Sequence, residues 1–377
     1  MKPLVVLSLE QALSLPYATS RMVQRGWRVI RIESPAGDPN RKIGAPIGGP
    51  DRCAYFVGPN VGKQSVCLDL HTEAGRADLH AIVQGLQVDV FCCNTLPGRY
   101  ARLGIDPETL RTVRPGLIWA GISAYGPGQP DTPGYDPALQ AELGWMDLTG
   151  PADGSPTLCG LPVVDLKAGD ELFTQVALAL AERGATGQGA TLHVSMARAA
   201  ASWLVTTLPL LDTGAPAGEL TRAGSEHRQF VPSNAYPTID GFAYLAIGSD
   251  RQWAALVAQP AFVELDRPEW THNGGRKAGR VALHAAVADC TRRRTTAENL
   301  AIFQGAGLVC AAIRTVAQAA ALPWLAPLLR TTQTPTGDVI RLPPLACGDD
   351  ARRQVAFAPK LGEHTAAVIA EARARLP

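Results

Sequence analysis

Leu4-Val5-Val6-Leu7-Ser8-Leu9 and Arg28-Val29-Ile30-Arg31-Ile32-Glu33 decide the fold, because both are short and rich in Val, Ile and Leu, and a helical run at 17–25 separates them. Strands that are largely apolar are buried on both faces, as in a parallel sheet covered by helices. Working outward, Val88-Asp89-Val90-Phe91 and Gly116-Leu117-Ile118-Trp119-Ala120 repeat the pattern, and another strand follows Lys63. Thr191-Leu192-His193-Val194-Ser195-Met196 alternates polar and apolar residues, as a strand does. Between the strands, 73–84 and 107–113 carry helical spacing or a helix-start signal, the latter opened by Asp106-Pro107-Glu108. The alternation predicts βαβ units on a mostly parallel sheet, whose carboxyl edge is where such sheets bind ligands.

Gly and Pro crowd 126–162, a loop region of the kind that carries sites on a rigid scaffold. Phe173, Val176, Ala177, Leu180 and Ala181 then form an apolar helical stripe, with Gly184 as the expected stop. Farther on, Ala235-Tyr236-Pro237-Thr238 and Phe242-Ala243-Tyr244-Leu245-Ala246-Ile247 flank Asp240-Gly241, a hairpin signature followed by helical stretches. The expected organisation is α/β: a large Rossmann-like domain at 1–200, a smaller α+β domain at 201–325, and a segment at 326–377 returning to the large domain through an Ala-rich helix at 363–376.

The 377 residues, 46% hydrophobic and 18% charged, can bury large cores. A formal charge of +1 gives no general pull toward nucleic acid or an anionic membrane, so any basic site is local. No apolar stretch is long enough to span a bilayer, and the expected location is the cytoplasm. Cys53, Cys67, Cys92, Cys93, Cys159, Cys290, Cys310 and Cys347 show no CxxC spacing and read as buried free thiols. Gly62-Lys63-Gln64-Ser65 fails as a phosphate loop, because Gly58 stands one residue too close and Gln64 replaces the magnesium-binding hydroxyl. Gly121-Ile122-Ser123-Ala124-Tyr125-Gly126 has one residue too many for a nucleophile elbow, and no GxGxxG follows the first strand. The histidines are scattered without metal-ligand spacing, so no metal site is expected.

A series of blocks in fixed order remains: Gln11 with Leu15-Pro16-Tyr17-Ala18; Val29-Ile30-Arg31-Ile32-Glu33-Ser34-Pro35 with Gly37-Asp38-Pro39-Asn40-Arg41; Asn60-Val61-Gly62-Lys63-Gln64-Ser65-Val66-Cys67-Leu68-Asp69-Leu70; and Asn94 with Pro97-Gly98 and Arg102-Leu103-Gly104. Tyr135-Asp136 with Gln140-Ala141, Pro162-Val163-Val164-Asp165 with Gly169, and Leu361-Gly362-Glu363-His364-Thr365 complete it. Over nearly its whole length the chain resembles the family III CoA transferases, the formyl-CoA and carnitine CoA-transferase group, which are related to α-methylacyl-CoA racemases.

The resemblance implies an interlocked homodimer with CoA on the larger domain, acyl-CoA and a carboxylic acid as substrates, and no tightly bound cofactor. By position it makes Asp165 the nucleophile that attacks the thioester, with Gln11 near the reacting carbonyl. A carboxylate suits this role because it can be acylated and deacylated unchanged. It must be ionised, so a pKa that is not raised is expected. Without the resemblance, Asp165 reads equally as a helix N-cap. The resemblance places Arg41, Lys63 and Arg102 on the CoA phosphates and Asn94 near the pantetheine; Tyr125 is read as a further CoA-site residue, and Tyr135, Glu226 and His227 as residues toward the substrate. The stretch Arg222-Ala223-Gly224-Ser225-Glu226-His227-Arg228 departs from the glycine run of many relatives, which argues against a flexible glycine lid. Tyr135 stands where the racemases carry a histidine base, and a phenol with an ordinary pKa of about 10 is a poor base near neutrality. The leading reading is CoA transfer between carboxylic acids, with a small-dicarboxylate flavour from Leu9-Glu10-Gln11-Ala12. The rivals are a racemase or epimerase, an acyl-CoA hydrolase and a catalytically silent CoA-binding subunit.

Overall fold

The computed structural model describes residues 3–346 and 354–376, so Cys347 lies outside the described residues. Val5–Leu9 (β1), Arg28–Glu33 (β2), Gln64–Cys67 (β3), Val90–Cys93 (β4), Ile118–Ser123 (β5) and Thr191–Ser195 (β6) form one sheet. Its order is β3-β2-β1-β4-β5-β6 and every pairing is parallel. The order reverses between β1 and β4, which leaves a crevice above their carboxyl ends. β4 and β5 begin two residues later than the sequence pattern suggests and run on through Cys92-Cys93 and Gly121-Ile122-Ser123.

The strands are buried on both faces because helices cover them. Leu7, Ile30, Val66, Phe91 and Trp119 have no more than a trace of exposure and meet Leu79, Ile82 and Val83 of the helix Glu73–Gly85. Each such side chain contributes roughly 1.5–3 kcal/mol by leaving water. The Trp119 indole N–H donates to Ile105 O at 2.7 Å, so its one polar atom is satisfied inside the core. The C-terminal helix Thr365–Arg373 buries Val368 and Ala372 in the same core.

The helix Val163–Thr186 begins earlier and ends later than its stripe predicts. Gly184 does not stop it. A helix ends where a residue takes the left-handed conformation, and Gly187 does so at φ 73°, donating its N–H to Arg183 O at 2.8 Å. At Gly169 the helix presses on Ser14–Gln24, since a Cβ there would lie 2.7 Å from Ser14 O. This close approach sets the distance between Ser14 and Asp165.

The chain divides into two compact units, one of residues 1–143, 159–206 and 323–377, the other of 144–158 and 207–322. The excursion at 144–158 has no counterpart in the sequence reading. In the first unit, Arg330–Gln333 (β10), Val339–Leu342 (β11) and Gln354–Val355 (β12) add a small sheet that the sequence did not announce. The second unit is α+β. Ser233–Pro237 (β7) and Phe242–Ala246 (β8) form the expected hairpin, Val309–Ala312 (β9) pairs beside β8, and Tyr236, Leu245, Trp253, Phe262, Leu283 and Phe303 fill the core. The Asp240 carboxylate accepts the Thr296 N–H at 2.7 Å, fixing the hairpin turn to the helix Thr296–Gly305.

Candidate active site

The residues that follow the strands converge at the carboxyl edge of the large sheet. Gln11 and Ala12 follow β1, Ser34 follows β2, Leu68-Asp69-Leu70-His71 follow β3, Asn94-Thr95-Leu96 follow β4, Ala124 follows β5 and Met196 follows β6. Together with Ser14, Arg99, Arg102, Tyr135 and Asp165 they line a cleft of about 320 Å³. The sequence-predicted Asp165, Gln11, Asn94, Arg102 and Tyr135 therefore share one site.

Asp165 is half-buried in the first turn of its helix and does not cap it. The cap is Asp136, a buried carboxylate from the helix Asp136–Glu142. Its Oδ2 accepts the N–H groups of Val164 at 2.7 Å and Asp165 at 3.2 Å, and its Oδ1 accepts from Gln140 at 2.6 Å. The Asp165 carboxyl is thus left for chemistry. Burial, then the charge of Asp136 beside it, push its pKa up to about 7, against a lowering hydrogen bond from Ser14. The expectation of an unraised pKa is corrected: close packing around the group and a second carboxylate make the ion costly. The same desolvation makes the ionised form a better nucleophile, because less water has to be stripped from it.

Arg41 and Lys63, which the resemblance puts on the CoA phosphates, do not line the cleft, and each is paired with a carboxylate. Lys63 precedes β3, whereas the cleft is built by residues that follow strands. Its ammonium is buried and gives its donors to Glu10 Oε1 at 2.6 Å, Pro16 O at 3.0 Å and Asn60 Oδ1 at 3.1 Å, which exhausts an ammonium. Burial lowers its pKa to about 8 despite Glu10. Arg41 forks onto Glu33, Nε to Oε2 and Nη2 to Oε1, both at 2.6 Å, and lies over the Phe56 ring. Arg31, fully buried, contacts Glu33 at 3.2 Å and Asp38 at 2.9 Å. Glu10, Glu33 and Asp38, which also line the cleft, thus balance Arg31, Arg41 and Lys63.

Arg102 is exposed and lines the cleft, as does Arg99, which sequence reasoning missed because a lone Arg near a turn looks like any solvated side chain. His71 lines it too. Exposed guanidinium groups at the cleft wall suit phosphate oxygens. We expect Arg102→Ala and Arg99→Ala each to weaken CoA binding about 10-fold or more by calorimetry, the scale of a hydrogen bond to a charged group. Arg41→Ala and Lys63→Ala should instead lower the melting temperature; a Kd that weakens only in those two variants would contradict the placement.

Tyr125 does not line the cleft, and its hydroxyl donates to the Glu142 carboxylate, which corrects its assignment to the CoA site. Tyr135 is 73% exposed at the cleft mouth. Glu226 and His227 belong to the second unit. There the Glu226 carboxylate faces His284 Nε2 at 3.4 Å, and His284 Nδ1 shares a 2.6 Å hydrogen bond with the Tyr236 hydroxyl. Glu226 Oε1 is buried there without a hydrogen-bond partner. His227 Nδ1 accepts the N–H groups of Gln229 and Phe230, both at 3.2 Å.

A half-buried carboxyl in a cleft with two exposed guanidinium groups suits an acyl-group or CoA transferase, and the chain is similar to known proteins of that kind. The model of CoA-transferase family III matches residues 1–365, and the chain belongs to that family. It is 34% identical over 374 residues to the acetyl-CoA:oxalate CoA-transferase of Acetobacter aceti, covering 97% of this chain and 94% of that one. It is 28% identical over 380 residues to the succinate–glutarate CoA-transferase of Agrobacterium fabrum, with 97% and 94% covered. The crystal structure of a CAIB/BAIF family protein from Brucella suis superposes with a TM-score of 0.86 at 28% identity, covering 98% of both chains. The chain is a CoA-transferase, moving CoA between an acyl-CoA and a carboxylic acid.

Proposed function

We propose that Asp165 carries the transfer covalently and that the acids exchanged are small carboxylates, dicarboxylates among them. The observation that carries the mechanism is the Asp165 carboxyl, relieved of capping by Asp136 and lining the cleft that holds Gln11, Arg99 and Arg102. The carboxylate attacks the acyl-CoA carbonyl, the C–S bond breaks, and a mixed anhydride and CoA thiolate result. The thiolate attacks the aspartyl carbonyl, releasing the donor acid and leaving an aspartyl-CoA thioester. The acceptor carboxylate attacks that thioester to give a new anhydride and thiolate, and attack on the acceptor's carbonyl yields the new acyl-CoA and restores Asp165. The Gln11 side-chain amide is the group placed to donate to the carbonyl oxygen as charge develops there. The acid pair is supported by relatives named for oxalate, succinate and glutarate.

The chain acts as an interlocked homodimer, a reading supported by large apolar side chains left exposed in a single copy, among them Val205 at 70%, Leu211 at 63% and Val316 at 88%. A cytoplasmic location is supported by unpaired thiols at Cys53, Cys67, Cys92, Cys93, Cys159, Cys290 and Cys310. Among the described residues no helix is long and apolar enough to cross a membrane.

The test combines exchange with proton bookkeeping in D₂O. With succinyl-CoA or acetyl-CoA as donor and oxalate, succinate or glutarate as acceptor, CoA moves, no deuterium enters at Cα, and the enzyme sediments with the mass of two chains. Deuterium at Cα without CoA exchange would establish proton abstraction instead, and CoA release without a new thioester would establish hydrolysis.

A further inference from the structure

The sheet order reverses between β1 and β4, and one side chain bridges the two strands at that point. Asn94, just after β4, accepts the Gln11 N–H on Oδ1 at 3.0 Å and donates Nδ2 to Gln11 O at 2.7 Å. Its own N–H goes to Leu9 O at 3.3 Å, so Asn94 prolongs the β1–β4 ladder with its side chain. The neighbouring backbone atoms are held from the other side. Arg31 Nη2 donates to Glu10 O at 3.3 Å, and the Ala12 N–H points to Asp38 Oδ1 at 3.4 Å, while Asp38 Oδ2 is fixed by Arg31 at 2.9 Å.

Ala12 explains why the turn needs holding. Its φ is 58°, in the left-handed region that a residue with a Cβ adopts only when its surroundings over-determine it. The Gln11 side chain, by contrast, is exposed in the cleft. The backbone is clamped and the amide is left for substrate.

We propose that Asn94 is a positioning residue for the transfer, together with Asp38: they hold the Gln11–Ala12 turn in its strained form so that the Gln11 amide meets the reacting carbonyl, and Asn94 is not primarily a CoA ligand. The inference rests on the covalent reading above and adds the device that aims Gln11. Both hydrogen-bonding groups of the Asn94 amide serve Gln11, with one N–H and one oxygen lone pair left over, so the clamp by itself accounts for the placement of the side chain.

The test is Asn94→Ala in the full chain, with Asn94→Ser as a milder second variant should the first lose its cooperative melt. Three readouts are compared with the wild type. Hydrogen exchange of the peptide covering residues 8–13 should speed up in the variant. The Kd of free CoA by calorimetry should stay within about twofold. Transfer in a single turnover should slow about 10- to 100-fold, the scale of a displaced catalytic group. Adding Asn94→Ala to Gln11→Ala should slow transfer no further, because a residue that acts only through Gln11 has nothing left to aim. Unchanged exchange at 8–13, additive losses in the double variant, or a CoA Kd weakened about 10-fold with the single-turnover rate intact would each overturn the clamp. The hydrogen-exchange and calorimetry arms need no turnover, so a failed clamp and a failed Asp165 mechanism give different results.

Discussion

Asp165→Ala should lose CoA exchange by about 10³-fold or more, the scale seen when a covalent nucleophile is removed, while its Kd for CoA stays close to that of the wild type. The split follows from the geometry. Arg99 and Arg102 line the cleft from the turns after β4, and their positions do not depend on the Asp165 side chain. The helix that carries position 165 keeps its cap, because Asp136 takes the Val164 and the residue-165 N–H groups whatever the side chain there. The loss is therefore a loss of chemistry. In the wild type, acyl-CoA with hydroxylamine should leave an aspartyl hydroxamate on the peptide containing Asp165, since the nitrogen attacks the aspartyl carbonyl and expels CoA thiolate or the donor acid. An Asp165→Ala enzyme with undiminished exchange, or a hydroxamate on another peptide, would remove Asp165 from the mechanism.

The frame of this site was legible in the sequence because strands buried on both faces are written as apolar runs, and β1 and β2 came within a residue of their positions. Once such a sheet is inferred, the carboxyl edge follows as the place of the site, while the resemblance to the family is what singled out Gln11, Asn94 and Asp165. Residue type did not reveal which charges were already committed. Arg41 and Lys63 look like phosphate ligands in a one-dimensional pattern, yet each is neutralised by a carboxylate that only the fold brings to it, Glu33 for Arg41 and the sequence-distant Glu10 for Lys63. A position before a strand rather than after it was the available signal for Lys63. Asp136 was quoted in a motif without a role, since a carboxylate capping a helix that starts many residues later leaves no local spacing. The raised pKa of Asp165 has the same origin: it depends on burial and on Asp136, and both are properties of the folded chain.

That raised pKa makes Asp165 a source of instability in the resting enzyme, with a definite pH window. The group's pKa rises from its ordinary 3.8 to about 7 in the folded chain, so between those values the folded protein binds more protons than the unfolded one. Stability from this group is complete below about pH 4, is lost as pH rises through about 7, and stays lost above it. A shift of this size corresponds to about 4 kcal/mol at most, and the open side of the cleft reduces that to about 2–4 kcal/mol. Asp165→Asn keeps the shape and never ionises. Its melting temperature should exceed that of the wild type at pH 8 by about 5–10 °C, on the scale of a few degrees per kcal/mol for a unit of this size. The gap should narrow at pH 5 and close near pH 4, where the wild-type carboxyl is protonated in both states. Carboxylates away from the site titrate alike in the two proteins and cancel in the difference, so paired melts at pH 5 and pH 8 report on Asp165 together with its repulsion from Asp136. A gap that is the same at both pH values, or a variant less stable than the wild type at pH 8, would show that the ionised carboxylate is comfortable where it stands. The predicted outcome instead makes Asp165 a strained group whose ionised form lowers the stability of the fold, the condition in which the carboxylate proposed here as nucleophile would be reactive toward a thioester.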